Sequence, residues 1–146
     1  MRLSFDTNVI LYGFDQDAAA KRQIAEALLS AVMPGGAIIP RQVLGEVLAF
    51  AHRTKRLSPD LARRIVADLA EVADVPVTRQ EDLVPASALA ERFRLQYFDA
   101  LICHVAHRQG ATILLSEDMH DGLEIGRLTI VNPFKIENAK RISDLI

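Results

Sequence analysis

Four acidic residues lie where apolar segments end or helices begin: Asp6 in RLSFDTNVIL, Glu46 in RQVLGEVLAF, Asp99 in LQYFDALICHVA and Asp118 in TILLSEDMHDG. Gathering several carboxylates inside a fold is costly unless a cation neutralises them. Magnesium and manganese prefer such hard oxygen donors, and magnesium keeps several waters while bridging one or two carboxylates to a phosphate. On a phosphodiester, an ion of this kind polarises the phosphoryl oxygen, acidifies a bound water and steadies the leaving oxygen; a second ion about 3.5–4 Å away can share these tasks. The chemistry suggested is metal-dependent phosphodiester hydrolysis, with no catalytic histidine required. Singly, each acid has a plainer role. Asp6, Asp99 and Asp118 could each cap a helix N-terminus, and Glu46 could be a solvated helix residue paired with Arg53. Capping does not require four distant acids to converge, so convergence separates the two readings.

The elements that must position these acids alternate between strand and helix. Leu3–Phe5 reads as a short buried strand, and residues 17–32 as a helix with Ile24, Ala25, Leu28 and Leu29 on one face. After the PGG turn at 34–36, residues 37–39 would form a second strand. Residues 41–55 would follow as a helix, with Val43, Leu44, Val47, Leu48 and Ala51 at helical spacing and Glu46 flanking that stripe. Ser58 as N-cap and Pro59 at the first helical position open another helix reaching residue 73. Residues 75–77 are a weaker strand, followed by helices over 83–93 and 100–109, the second capped by Asp99 and closed by Gly110. Residues 112–115 and 127–131 are the clearest strands. The alternation predicts one three-layer α/β/α domain over residues 1–146 with a central, mainly parallel sheet of four to five strands. Its site would lie beyond the carboxyl ends of the strands, where Asp6 and Asp118 fall.

A chain of 146 residues, 50% hydrophobic and 25% charged, can bury a sizeable single core. The formal net charge of -2 rules out a global positive field, so any nucleic-acid contact must be local. Candidates for phosphate contact are Arg41, Arg53, Lys55, Arg56, Arg63, Arg64, Arg92 and Arg94, although charged helix faces are commonly just solvated. Cys103 is the only cysteine, which excludes an internal disulfide or a thiolate zinc cluster and suits a reducing, cytoplasmic setting. Asp6 interrupts the N-terminus before a secretory signal could form, and no later run approaches a membrane span.

Taken together, FDTNVIL, the VLGEVL helix, YFDALICHVA and ILLSEDMHDG before a last strand ending VNPF resemble the PIN-domain ribonucleases, and more narrowly the VapC-type toxins of toxin–antitoxin systems. The resemblance spans nearly the whole chain. It implies a PIN-like fold and magnesium- or manganese-dependent endonucleolytic cleavage of RNA, leaving 5′-phosphate and 3′-hydroxyl ends. By resemblance Asp6, Glu46, Asp99 and Asp118 match the family's metal-binding acids, and Asn8 and Ser116 the accompanying polar positions. In that scheme Asp6 and Asp99 are the principal ligands, Glu46 and Asp118 hold a second ion or orient water, and Asn8 and Ser116 fix the carboxylates. One departure matters: where many relatives carry an aromatic residue three places after the fourth acid, this chain has Asp121, leaving Asp118, Asp121 or both as the fourth ligand. The resemblance also implies a cognate antitoxin that wraps the toxin, and a homodimer.

Other readings compete. Asp6 after a first strand could accept phosphate, as in a phosphoaspartate-forming phosphatase or a receiver-like signalling domain. Against this, a DxD phosphatase would want an acid at position 8, where Asn8 stands, and a receiver would want paired acids beside the first strand. His104 and His107 share a helix but lack a third nitrogen or sulfur ligand for zinc. His120 falls between Asp118 and Asp121 and could meet substrate, while His52 adds little. Leu57, Leu61, Ile65 and Leu69 could face a partner, though such spacing more often marks core.

Overall fold

Short apolar strands interleaved with amphipathic helices can bury both faces of a sheet only by folding helices over each side. The computed structural model describes residues 1–146 and has this arrangement. Strands β1 (Leu3–Phe5), β2 (Ile113–Leu115), β3 (Glu124–Ile125) and β4 (Leu128–Val131) form one sheet in the order β1-β2-β4-β3. The β1–β2 and β2–β4 pairings are parallel, with Phe5 opposite Leu115 and Leu115 opposite Val131, whereas β3 runs antiparallel to β4. Parallel β1 and β2 put their carboxyl ends at one edge, from which the chain emerges as Asp6 and Ser116.

Two expected strands shrink to single bridges. Ile38 bridges Ser4, and Asp74 bridges Ile38, both in the parallel sense. They extend the sheet beyond β1 through Ile38 N–H to the Leu3 carbonyl and Ile39 N–H to the Asp74 carbonyl, at 2.8 and 2.9 Å. Pro40 and Pro76 cut the ladder short, because proline has no N–H to donate.

The helices are α1 (Thr7–Tyr12), α2 (Ala19–Val32), α3 (Arg41–Arg53), α4 (Pro59–Val72), α5 (Gln80–Phe93), α6 (Tyr97–Arg108) and α7 (Ala139–Ser143). Ser58 caps α4 as expected, its hydroxyl accepting from Leu61 N–H at 3.1 Å. Leu57, Ile65 and Leu69 are buried in the main core and Leu61 packs partly buried against it, so this stripe is chiefly intramolecular. The α6 boundary differs from expectation: Gln96 is the N-cap, and Asp99 lies inside the first turn instead of capping it. Asp118 precedes no helix, whereas Asp6 does cap one, the short α1, and the antiparallel β3 lies where the sequence pattern predicts no strand. At the β3–β4 turn Gly126 adopts φ 59°, and a Cβ there would lie 2.7 Å from His107 Nε2, so that ring packs against bare backbone. The core joins Phe5, Val9 and Ile10 to Ile102, Leu114 and Ile130, all essentially inaccessible, directly beneath the strand-end edge.

Candidate active site

Asp6 is both a cap and a member of a cluster. As N-cap of α1 it has extended backbone, with φ -82° and ψ 159°, and its Oδ1 accepts from Thr7 N–H at 2.8 Å. Its Oδ2 accepts from the Ser116 hydroxyl at 2.8 Å and from Asn8 Nδ2 at 3.1 Å. Only 4% of Asp6 is exposed. Burial pushes its carboxyl up from 3.8 to about 6, and the charges of Asp99 and Glu46 add to the rise against the opposing Ser116 and Thr7 hydrogen bonds.

The other acids arrive from three further elements. Glu46 projects from the middle of α3, where it accepts from the Thr7 hydroxyl and, at 2.8 Å, from Gln42 Nε2. It makes no pair with Arg53. Gln42 also reaches the Phe98 carbonyl at 3.2 Å, tying α3 to the start of α6. Asp118, exposed on the loop after β2, accepts from Asn8 Nδ2 at 3.0 Å. Asn8 therefore bridges Asp6 and Asp118, while its own Oδ1 receives Glu117 N–H at 3.1 Å. Asp99 receives no side-chain hydrogen bond; burial raises its carboxyl, and the charges of Glu46 and Asp118 raise it further. The shifts of Asp6 and Asp99, with Glu46 and Asp118 among their causes, place the four acids in one electrostatic field. The Cys103 thiol beneath them is pushed up to about 12, first by burial and then by Asp6 and Asp99, which leaves it an inert core group.

Asp121 stands apart. Its carboxylate accepts from Asn132 N–H at 2.8 Å and Asn138 Nδ2 at 2.9 Å and pairs with Lys135 at 3.4 Å. Burial alone would raise its carboxyl, but these donors hold it below the ordinary range. It staples the segment after β4. The histidines disperse likewise: His104 Nε2 contacts Asp82 at 3.1 Å, and His107 packs against Gly126. Among the basic candidates, Arg56 pairs with Asp15 and Arg63 with Asp60, both as exposed surface pairs.

A PIN-domain family model matches residues 4–120. The chain belongs to the PIN-domain family. No characterised protein matches it significantly by sequence alone. Among solved structures, this PIN domain is similar to a chain of a toxin–antitoxin complex from Klebsiella pneumoniae, with TM-score 0.67 and 23% identity over 93% of this chain and 100% of that one. It also resembles a chain of VapBC2 from Rickettsia felis bound to a promoter DNA fragment, with TM-score 0.63 and 15% identity over 89% and 97% of the two chains. VapC20 of Mycobacterium tuberculosis, a sarcin–ricin loop cleaving toxin, matches with TM-score 0.55 and 17% identity over 80% and 89%. At such identities the shared property is the fold.

None of the chain's ion pairs involves Asp6, Glu46, Asp99 or Asp118. The PIN-domain cluster therefore has no internal cation, and donors from Thr7, Asn8, Gln42 and Ser116 partly offset its charge. No three carboxylate, histidine or cysteine side chains form a ready-made ion cage. A hydrated divalent ion needs only one or two direct carboxylates, and donor-free Asp99, whose charge reaches buried Asp6, suits that demand. Three positioning groups escaped the sequence reading: Thr7, Gln42 and Glu117. Glu117 accepts from Tyr12 at 3.0 Å and pairs with Lys21 at 2.7 Å, anchoring the loop that carries Asp118. The available signal was DTN directly after a strand, since an Asp N-cap puts the next two side chains on the first helical turn.

Proposed function

We propose that this PIN domain is a metal-dependent endoribonuclease and the toxin of a type II toxin–antitoxin pair. The observation carrying the reading is the convergence of Asp6, Glu46, Asp99 and Asp118 in one field without any basic partner. Asp6 and Asp99 are the principal ligands for Mg2+ or Mn2+, Glu46 and Asp118 complete the site or orient water, and Asn8 and Ser116 hold Asp6 and Asp118 in place. A bound ion would supply an acidified water and neutralise charge on the scissile phosphate. The residues do the rest. Ser116 and Asn8 fix the Asp6 carboxylate, and Thr7 and Gln42 fix Glu46. The fold shared with chains of toxin–antitoxin complexes supports a cognate antitoxin as partner, and the homodimer rests on the sequence resemblance.

The phosphoaspartate alternative is disfavoured because position 8, where a DxD phosphatase would place an acid, holds Asn8, whose amide donates to both Asp6 and Asp118. Incubation with total cellular RNA, with and without magnesium or manganese, followed by mapping of new 5′ ends tests the proposal. Metal-dependent 5′-phosphate ends are expected, and Asp6→Asn is expected to lower cleavage roughly a hundredfold or more. Undiminished cleavage by Asp6→Asn, or equal cleavage in chelator, would refute the assignment.

A further inference from the structure

Phosphate contacts alone give weak purchase on this molecule, because the candidate site is a patch of carboxylates on a chain of net charge -2. Binding that does not depend on charge must come from another kind of group. The chain has six phenylalanines, two tyrosines and no tryptophan, and Phe98 is the one exposed ring among them, with 59% of its surface accessible. It immediately precedes Asp99, the site acid that lacks a hydrogen-bond donor.

Phe98 is also held in place. Its carbonyl accepts from Gln42, which simultaneously binds Glu46, so the backbone under the ring is tied to the acidic cluster. The ring meets Tyr97 edge-on, with centroids 5.1 Å apart and planes at 72°. Tyr97 is itself fixed through its hydroxyl, 3.4 Å from the Leu83 carbonyl. In an edge-to-face pair one ring offers its rim and the other a single face, so in either role at least one face of Phe98 stays clear of Tyr97.

We propose that Phe98 is a stacking platform for a nucleobase of single-stranded RNA, placing the adjoining phosphate over the acids. The inference rests on the ribonuclease reading and extends it: the substrate is unpaired RNA, read at this position by stacking and not by its charge. Leu83 and Val84 on α5 are exposed too, and a protein-docking patch would draw on them as well as on Phe98. The base is the favoured occupant because only Phe98 is joined, through Gln42, to the acid cluster.

The test uses the full chain and single-stranded RNA 12-mers carrying 2-aminopurine, whose fluorescence falls on stacking. In the cleavage-suppressed Asp6→Asn background, binding should quench the probe, and Phe98→Ala should weaken binding roughly 5- to 150-fold and remove the quenching. That loss should be the same at 50 and 200 mM salt, although overall affinity falls with salt. Phe98→Trp should restore binding, and Val84→Ser should leave it unchanged. In the wild-type background, Phe98→Ala should raise KM with little change in kcat. Equal quenching by Phe98→Ala, a kcat loss without a KM change, or a shift in sedimentation by Phe98→Ala and Val84→Ser with RNA binding intact would overturn the proposal; the last would assign the ring to a protein interface. Because quenching is read without cleavage, failure of the nuclease reading and failure of the stacking platform give different results.

Discussion

At the scale of single residues, the fourth acid is where geometry separates two candidates that spacing could not. Asp118 receives one hydrogen bond, from the same Asn8 amide that holds Asp6, and its charge reaches Asp99. Asp121 spends its oxygens on Asn132, Asn138 and Lys135. Asp118→Asn should therefore lower kcat/KM at least about tenfold with little loss of stability. Asp121→Ala should leave kcat/KM within a few-fold but cost about 1–3 kcal/mol, since it strands a buried backbone N–H. Steady-state cleavage and urea melts of both variants check the pair of statements, and a reversal of the two phenotypes would move the ligand role to Asp121. The acids themselves were legible because carboxylates beside apolar runs stand out. Their supporting donors were not. Thr7 and Gln42 are unremarkable in sequence, and only the closure of α1 against α3 brings them to Glu46.

At the scale of elements, legibility followed burial. Strands β1, β2 and β4 and helices α2, α3, α4 and α6 were readable because each presents an apolar run or stripe to the core, whereas α5 buries only Asp82 and Ala86. The six residues of α1 are too few to show a period, and the two residues of β3 exist through pairing with β4 across a Gly126 turn. Asp99 misled as a cap for a related reason: α6 begins at Tyr97, two residues earlier, which moves the acid onto the inward turn. How α6 is held depends on a cluster no motif announced. Asp82 on α5 is buried and accepts from both Arg108 Nε and Nη2 at 2.9 Å, from Arg79 N–H at 2.7 Å, and contacts His104. Burial alone would raise its carboxyl, but Arg108 and the Arg79 N–H hold it below the ordinary range. Removing Asp82 leaves the partly exposed Arg108 guanidinium and the Arg79 N–H without their acceptor, so Asp82→Ala should cost roughly 1–3 kcal/mol in urea denaturation. A double-mutant cycle with Arg108→Met should recover part of that loss. Independent, additive effects would mean that the α5–α6 clasp is held by packing alone.

At the scale of the whole molecule, the acidic cluster sets a conflict between function and stability that pH and metal can expose. Asp6 has a folded-state pKa of about 6 against 3.8 when unfolded, so between these values the native state holds more protons. Its contribution is fully present below pH 3.8 and is lost as pH rises through 6, a swing of roughly 3 kcal/mol. Asp99, also raised, acts in the same sense. Asp74, Asp82 and Asp121 are lowered instead, so the stability they contribute is present above the unfolded value and disappears as pH falls through their folded values. The two sets act on opposite sides of the unfolded value, and from these groups the metal-free protein should be most stable near pH 4. In chelator, Tm should fall between pH 5 and 8 for the wild type and much less for Asp6→Asn. A divalent ion competes with the proton for the same carboxylates, so magnesium or manganese should raise Tm at pH 8 and have little effect at pH 5. A metal-free Tm that keeps rising to pH 8, or a metal effect equal at both pH values, would show that these carboxylates are neither strained by burial nor relieved by a cation.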